Sequence, residues 1–174
     1  PGTFKPWAKG NLSSIAENLI AHVAHLYAIE ARVGRHIALA LEPEPCCLLE
    51  TVEETIQFFN QYLFSSSACS RLAKSLGMTK PTAEGVLRRH LGICYDVCHA
   101  AVEFENPTQN IADLDAAGIT IAKLQLSSAI RVPEVTPAAL NVLRKFDEPV
   151  YLHQVVAKRG DQFSRYLDLP EAFA

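Results

Sequence analysis

No stretch of this 174-residue sequence is apolar for long. Runs such as Ile37 to Leu41 and Ile93 to Tyr95 fall far short of the roughly 20 residues that span a bilayer, so no transmembrane helix is expected. Positive charge is not in excess either. Sixteen Lys and Arg against 19 Asp and Glu give a formal net charge of -3, which lacks the basic footprint of nucleic-acid binders. Cysteine is sparse and odd in number (Cys46, Cys47, Cys69, Cys94, Cys98). In a chain that is 49% hydrophobic this argues against a disulfide framework and for a reducing, cytoplasmic compartment. The opening Pro1-Gly2-Thr3-Phe4-Lys5-Pro6-Trp7 has no initiator Met, basic n-region or apolar h-region. It reads as neither a native start nor a signal peptide, and a piece of a longer protein is expected. What remains is one ordinary globular domain without repeats or low-complexity tracts.

Apolar residues from Leu12 to Val33 recur at helical spacing, with Ser14 and Glu17 at capping-box distance and Gly34 as the stop. Ile37 to Leu41 reads as a buried strand halted by Glu42-Pro43-Glu44-Pro45. Thr51 and Glu54 form a second possible capping box, opening a helix through Leu63. Residues 65–91 read as an inserted pair of short helices broken at Gly77. Strand-like Ile93-Cys94-Tyr95, a helix around Ile111 to Ala117 closed by Gly118, and a third strand from Ile119 to Leu126 follow. A helix after Thr136-Pro137 and a fourth strand from Val150 to Val156, carrying His153, complete the pattern. Four alternations of strand and helix predict an α/β fold with a parallel sheet.

Functional groups of such sheets gather beyond the carboxyl ends of the strands. Glu42 with Glu44, Asp96 with His99, Gln125 with Ser127 and Ser128, and His153 all fall there. Oxygen donors with one or two imidazoles suit a divalent cation, Mn²⁺, Mg²⁺ or Zn²⁺, and two buried carboxylates without a cation would be costly. Other candidates carry a plainer reading. Glu44 belongs to the rim, and Cys94 and Cys98, in a C-x₃-C spacing wrong for a zinc ribbon, are expected as buried thiols. Cys46 and Cys47 are adjacent and ill placed for a shared disulfide. His22 and His25 could bind metal, but a solvated or interface helix face is favoured. The stretch Leu72 to Arg89 has the look of a helix-turn-helix, with Arg71, Lys74, Lys80, Arg88, Arg89 and His90 as local positive charge. Gly85 weakens its second helix by about 1 kcal/mol against Ala, and an ordinary helical insertion is favoured over a DNA reader. The charge could instead meet a phosphate or carboxylate on a ligand.

The segments Ala40-Leu41-Glu42-Pro43, Tyr95-Asp96-Val97-Cys98-His99-Ala100 and Lys123-Leu124-Gln125-Leu126-Ser127-Ser128 resemble the last metal-bearing strands of the xylose isomerase-like TIM barrels. That superfamily includes sugar isomerases and epimerases and the endonuclease-IV-type nucleases, and the text is most similar to its metabolite-traffic (EboE-like) group. The resemblance implies that residues 1–174 are the C-terminal half of a (β/α)₈ barrel, with residues 65–91 inserted. It implies a missing N-terminal half, or an edge-pairing second copy, as partner. Glu42 and Asp96 match the metal-binding acids. His99 matches the His that binds metal in the nucleases or substrate in the isomerases. Gln125 stands where a His is usual, and His153 near where the final Glu is usual. Arg131 corresponds to a substrate-binding Arg, and Ser128 joins it in the expected substrate contacts.

The resemblance therefore implies a metal-dependent isomerase or epimerase acting on a sugar-phosphate-like hydroxy-carbonyl metabolite, in secondary-metabolite biosynthesis or traffic. Glu42 and His153 would be its acid–base pair, with His99 beside them. The alternative is a non-catalytic metabolite carrier on the same fold, which the Gln125 and His153 departures permit. A phosphodiesterase acting on abasic DNA ranks last, against the acidic charge balance.

Overall fold

Helix α1 runs Leu12–Val33 from Asn11, whose side chain makes no cap. Gly34 closes it in the left-handed conformation (φ 66°), its N–H reaching Glu30 O over 2.8 Å. Ser14 and Glu17 thus lie inside the helix and do not cap it. The computed structural model of the chain describes Phe4, Lys5 and residues 11–174. Residues 1–3 and 6–10, on which the reading of the opening segment mostly rests, lie outside the described residues.

Strand β1 is short, Leu39–Leu41, and Ile37, expected within a buried strand, is 43% exposed. Helix α2 (Val52–Phe58) does start at Thr51, whose Oγ1 accepts from Glu54 N. The Glu54 carboxylate, however, accepts from Glu50 N, one residue before the capping-box partner. A π-helical turn, Phe59–Leu63, continues α2. Helices α3 (Ser66–Leu76) and α4 (Lys80–His90) begin at Ser65 and Thr79, with the left-handed Gly77 between them. Expected as an insertion, they supply Cys69, Leu72, Ala83 and Leu87 to the same core as Val23, Phe59 and Leu63.

Strand β2 (Leu91–Asp96) is buried at every residue, and helix α5 (Val97–Val102), absent from the sequence reading, starts at once from Asp96. Helix α6 (Pro107–Ala116) leads to strand β3 (Thr120–Gln125). Helix α7 (Pro137–Leu143), strands β4 (Val155–Arg159) and β5 (Gln162–Tyr166) and helix α8 (Leu169–Ala172) complete the chain. Among the described residues no helix is long and apolar enough to cross a membrane.

Strands β1, β2 and β3 form a parallel sheet in that order. Leu39, Leu41, Leu91, Ile93 and Tyr95 share the face packed against the core. Ala40, Gly92, Cys94 and Asp96 alternate onto the other. A bulge in β3 changes the register: Ile93 pairs with Ile121, but Cys94 with Lys123 and Asp96 with Gln125. The extra residue sets Gln125 level with Asp96 on the same face; without it Leu124 would stand there.

The expectation of four parallel strands forming the C-terminal half of a (β/α)₈ barrel is overturned. Among the described residues the fold is mixed α/β, with one three-stranded parallel sheet and one two-stranded antiparallel sheet and no barrel. The physical reason lies at Arg159-Gly160-Asp161-Gln162. Gly160 takes φ 61° in the two-residue turn and folds β4 back on β5, so those backbone groups pair within a hairpin and do not extend the parallel sheet. The expected fourth strand is also misplaced: residues 150–154 are not in a strand.

Buried polar contacts brace the sheet. Asn110 donates to Tyr95 Oη and Glu105 Oε2, and Glu105 Oε1 accepts from Val52 N, tying β2, α6 and α2 together. Arg165 of β5 makes a two-pronged pair with Glu103, whose side chain is fully buried, and lies 3.5 Å from Glu50. The hairpin is anchored to the end of α5 through that pair.

Candidate functional site

The carboxyl ends of the three parallel strands meet in one polar cluster. Glu42 follows β1, Asp96 ends β2 and Gln125 ends β3. Gln125 Nε2 donates to Glu42 Oε1 over 2.7 Å and to Asp96 Oδ2 over 2.6 Å. One amide nitrogen therefore stands between two carboxylates at the ends of neighbouring strands. Lys123, two residues back on the same face, donates to Gln125 Oε1 over 2.8 Å.

Asp96 caps α5, its Oδ1 accepting from Cys98 N over 2.9 Å and from the Ser127 hydroxyl. Burial opposes its ionisation, but the hydrogen bonds from Ser127 and Cys98 outweigh it and hold the carboxyl below the usual aspartate range. The same helical turn carries His99. Its Nδ1 lies 3.0 Å from Pro43 O, to which it can only donate, and 3.5 Å from Glu42 Oε1. The carbonyl contact leaves Nε2 as the second functional atom of that ring.

Cys98 and Lys123 join the cluster without having been singled out for it. Ligand atoms of Asp96, Cys98 and His99 lie within 4.8 Å of one another. The sequence signals were present: one turn of helix after Asp96 gathers positions 98 and 99, and the i, i+2 spacing of Lys123 and Gln125 on a strand puts both on one face. Burial pushes the thiols of both Cys94 and Cys98 up, with nearby Asp96 and Glu42 adding to the effect and Ser127 opposing it at Cys98. Both are free cysteines, Cys94 buried and Cys98 half-buried.

The sequence-predicted residues divide cleanly. Glu42, Asp96, Gln125 and His99 come together. His153 does not join them: its imidazole lies 3.5 Å from Asp168 and 4.0 Å from Glu148. The hairpin accounts for this, since His153 precedes β4 in irregular chain and its N–H donates to Asp168. Ser128 and Arg131 are exposed in the loop after β3, and the hydroxyl that reaches Asp96 is that of Ser127. Glu44 accepts from Gln154 Nε2 over 2.7 Å, away from the cluster. His22 and His25 are exposed on α1.

Two carboxylate groups and an amide oxygen make a hard-cation donor set, with His99 as a nitrogen donor at its edge. The fit has one condition. Gln125 now turns its nitrogen to the acids, and rotating the amide by 180° would present its oxygen with theirs. No family model, curated protein or solved structure matches the chain.

Proposed function

We propose that the strand-end cluster is a divalent-cation site of the Mn²⁺ or Mg²⁺ kind and that the chain is an isomerase or epimerase of a small hydroxy-carbonyl metabolite. One observation carries this reading: Glu42, just beyond β1, and Asp96, at the end of β2, converge within hydrogen-bond distance of the same Gln125 nitrogen. Two carboxylates so close repel unless positive charge lies between them, and an amide N–H supplies only part of it. Bound there, a divalent cation would polarise the ligand's carbonyl oxygen.

The chain's own groups supply the proton transfer. Glu42 is half-exposed and can take a proton from the carbon beside a carbonyl, and His99, whose ring is fixed beside it through Nδ1, returns one from Nε2. His99 thus takes the place first given to His153. Asp96, held ionised by Ser127 and Cys98, serves as a fixed anion. Lys123 offers a cation for a ligand's phosphate or carboxylate.

The test is uptake of solvent deuterium into a panel of aldoses, ketoses and their phosphates with Mn²⁺ present. Exchange is expected in the wild type and in His153→Asn, and is expected to vanish in Glu42→Gln and His99→Asn. A non-catalytic metabolite carrier is the second reading, favoured by the single observation that the second acid–base group expected beside Glu42, His153, is engaged with Asp168. Metal and ligand binding without exchange would establish the carrier instead.

A further inference from the structure

At the opposite end of the sheet, before the strands begin, three side chains from three segments meet. Glu30 lies in the last turn of α1, His36 in the link to β1, and His90 at the end of α4. Their ligand atoms all lie within 4.8 Å of one another. His90 is fully buried, and its Nδ1 faces Ile37 O at 2.8 Å. A carbonyl only accepts, so Nδ1 carries the proton, and in the neutral ring Nε2 is left as a lone pair. That Nε2 has no hydrogen-bond partner, although Glu30 Oε2 lies only 3.1 Å away. Two acceptors at that distance repel unless a positive centre sits between them.

The spacing suits a metal better than a gap. A tetrahedral zinc ion with bonds of about 2.0–2.1 Å holds its donors roughly 3.3 Å apart. Here Glu30 Oε2 is 3.1 Å from His90 Nε2 and 3.6 Å from His36 Nδ1. The second-sphere features are also present. The Ile37 carbonyl fixes the His90 ring, and Arg89 pairs with the Glu30 carboxylate through Nε and Nη2. Arg89 holds that carboxyl down at about 2, so it is an anion at any working pH. The C-terminal end of α4 itself favours positive charge at this place.

We propose that Glu30, His36 and His90 form a zinc-class metal site, distinct in place and chemistry from the strand-end cluster. Two imidazoles and one carboxylate select a borderline cation over Mg²⁺, whereas the strand-end set is oxygen-rich. Three protein donors leave one position open. His36 is 38% exposed and, with Arg89, Ala38, Ala40, Thr120, Ala122 and Lys123, lines a cleft of about 480 Å³ beside the sheet. The fourth position is therefore open to water or a small anionic ligand.

The test is a Zn²⁺ titration of the full chain against a chromophoric competitor, with Co²⁺ absorption as a second readout. The strand-end double variant Glu42→Gln, Asp96→Asn is the control, because its failure to bind Mn²⁺ concerns the other site. One equivalent of zinc is expected in the wild type and in that double variant. His36→Ala, at an exposed position, is expected to weaken it by more than about tenfold, the scale on which loss of even an outer-sphere partner is felt. Co²⁺ spectra should lack thiolate charge-transfer bands. No zinc in the wild type, unchanged affinity in His36→Ala, or thiolate bands from the five cysteines would each overturn the proposal. So would a protonated His90 Nε2 in zinc-treated protein, read by nitrogen chemical shifts, since the proton would then hold the place assigned to the metal.

Discussion

Asp96 and Gln125 stand opposite one another on the same face of the sheet because β3 holds one extra residue just before them, and Gln125 Nε2 donates to Asp96 Oδ2 over 2.6 Å. The bulge therefore sets the geometry of the strand-end site. A parallel pair rarely carries one, and bulges that re-aim a side chain are common beside functional sites.

Gln125→Glu should convert this contact into three crowded carboxylates. Without added cation the variant is expected to lose about 1–3 kcal/mol of stability, the cost of leaving buried acceptors without a donor. With millimolar Mn²⁺ its melting temperature should rise more than that of the wild type. Thermal melts with and without the ion check both, and equal shifts in the two proteins would count against a cation position between Glu42 and Asp96.

Ser127 sets the acid sensitivity of Asp96. The folded carboxyl ionises more readily than the unfolded one, so its contribution is complete above about pH 4 and is lost as the pH falls through the lower folded value. Ser127→Ala removes a donor and is expected to cost about 1–2 kcal/mol at neutral pH. Denaturation midpoints of the two proteins should converge once the pH has fallen below the folded value. A gap that stays constant from neutral pH down would mean that Ser127 acts by packing.

The periodic segments were readable from the sequence because they rest on local rules. Gly34, Ser65, Gly77, Thr79 and Thr136 mark helix ends where the chain bears them. The strand-end position of Glu42, Asp96 and Gln125 was legible for the same reason. What was not legible is long-range. Nothing local says that residues 155–159 pair with 162–166 in a hairpin, although Gly160-Asp161 was a turn signal in plain view. That one choice carried His153 away from the cluster and removed the barrel. The Glu30, His36 and His90 grouping also depends on tertiary contact, joining residues 60 positions apart in the chain.

Arg165 is predicted to matter more for stability than an ordinary surface arginine. It neutralises the buried Glu103, whose carboxyl is pushed up by burial and drawn back by this pair. Arg165→Met should leave Glu103 and Glu50 without their cation and cost about 3–5 kcal/mol, whereas Arg165→Met with Glu103→Gln should recover part of it. Urea denaturation of the single and double variants measures the coupling. Additive losses would show that the pair does not act as a unit.

Two glycines should respond in opposite directions. A Cβ on Gly92 would lie 2.5 Å from Thr120 O and 3.1 Å from Ala122 Cβ, so Gly92→Ala must push β3 away at the bulge. A loss of about 1–3 kcal/mol is expected. Gly85, inside α4, has open space around it, and Gly85→Ala should gain about 0.5–1 kcal/mol. Chemical denaturation orders the two, and a neutral Gly92→Ala would contradict the close packing of β2 on β3.

Whether Glu42, Asp96 and Gln125 hold a divalent cation is read by equilibrium dialysis against Mn²⁺. About one equivalent is expected on the wild type at the strand ends, with affinity weakened by more than about tenfold in both Glu42→Gln and Asp96→Asn. The His36→Ala variant should bind as the wild type does. Failure of the wild type to bind Mn²⁺, or undiminished binding in both acid variants, would contradict it.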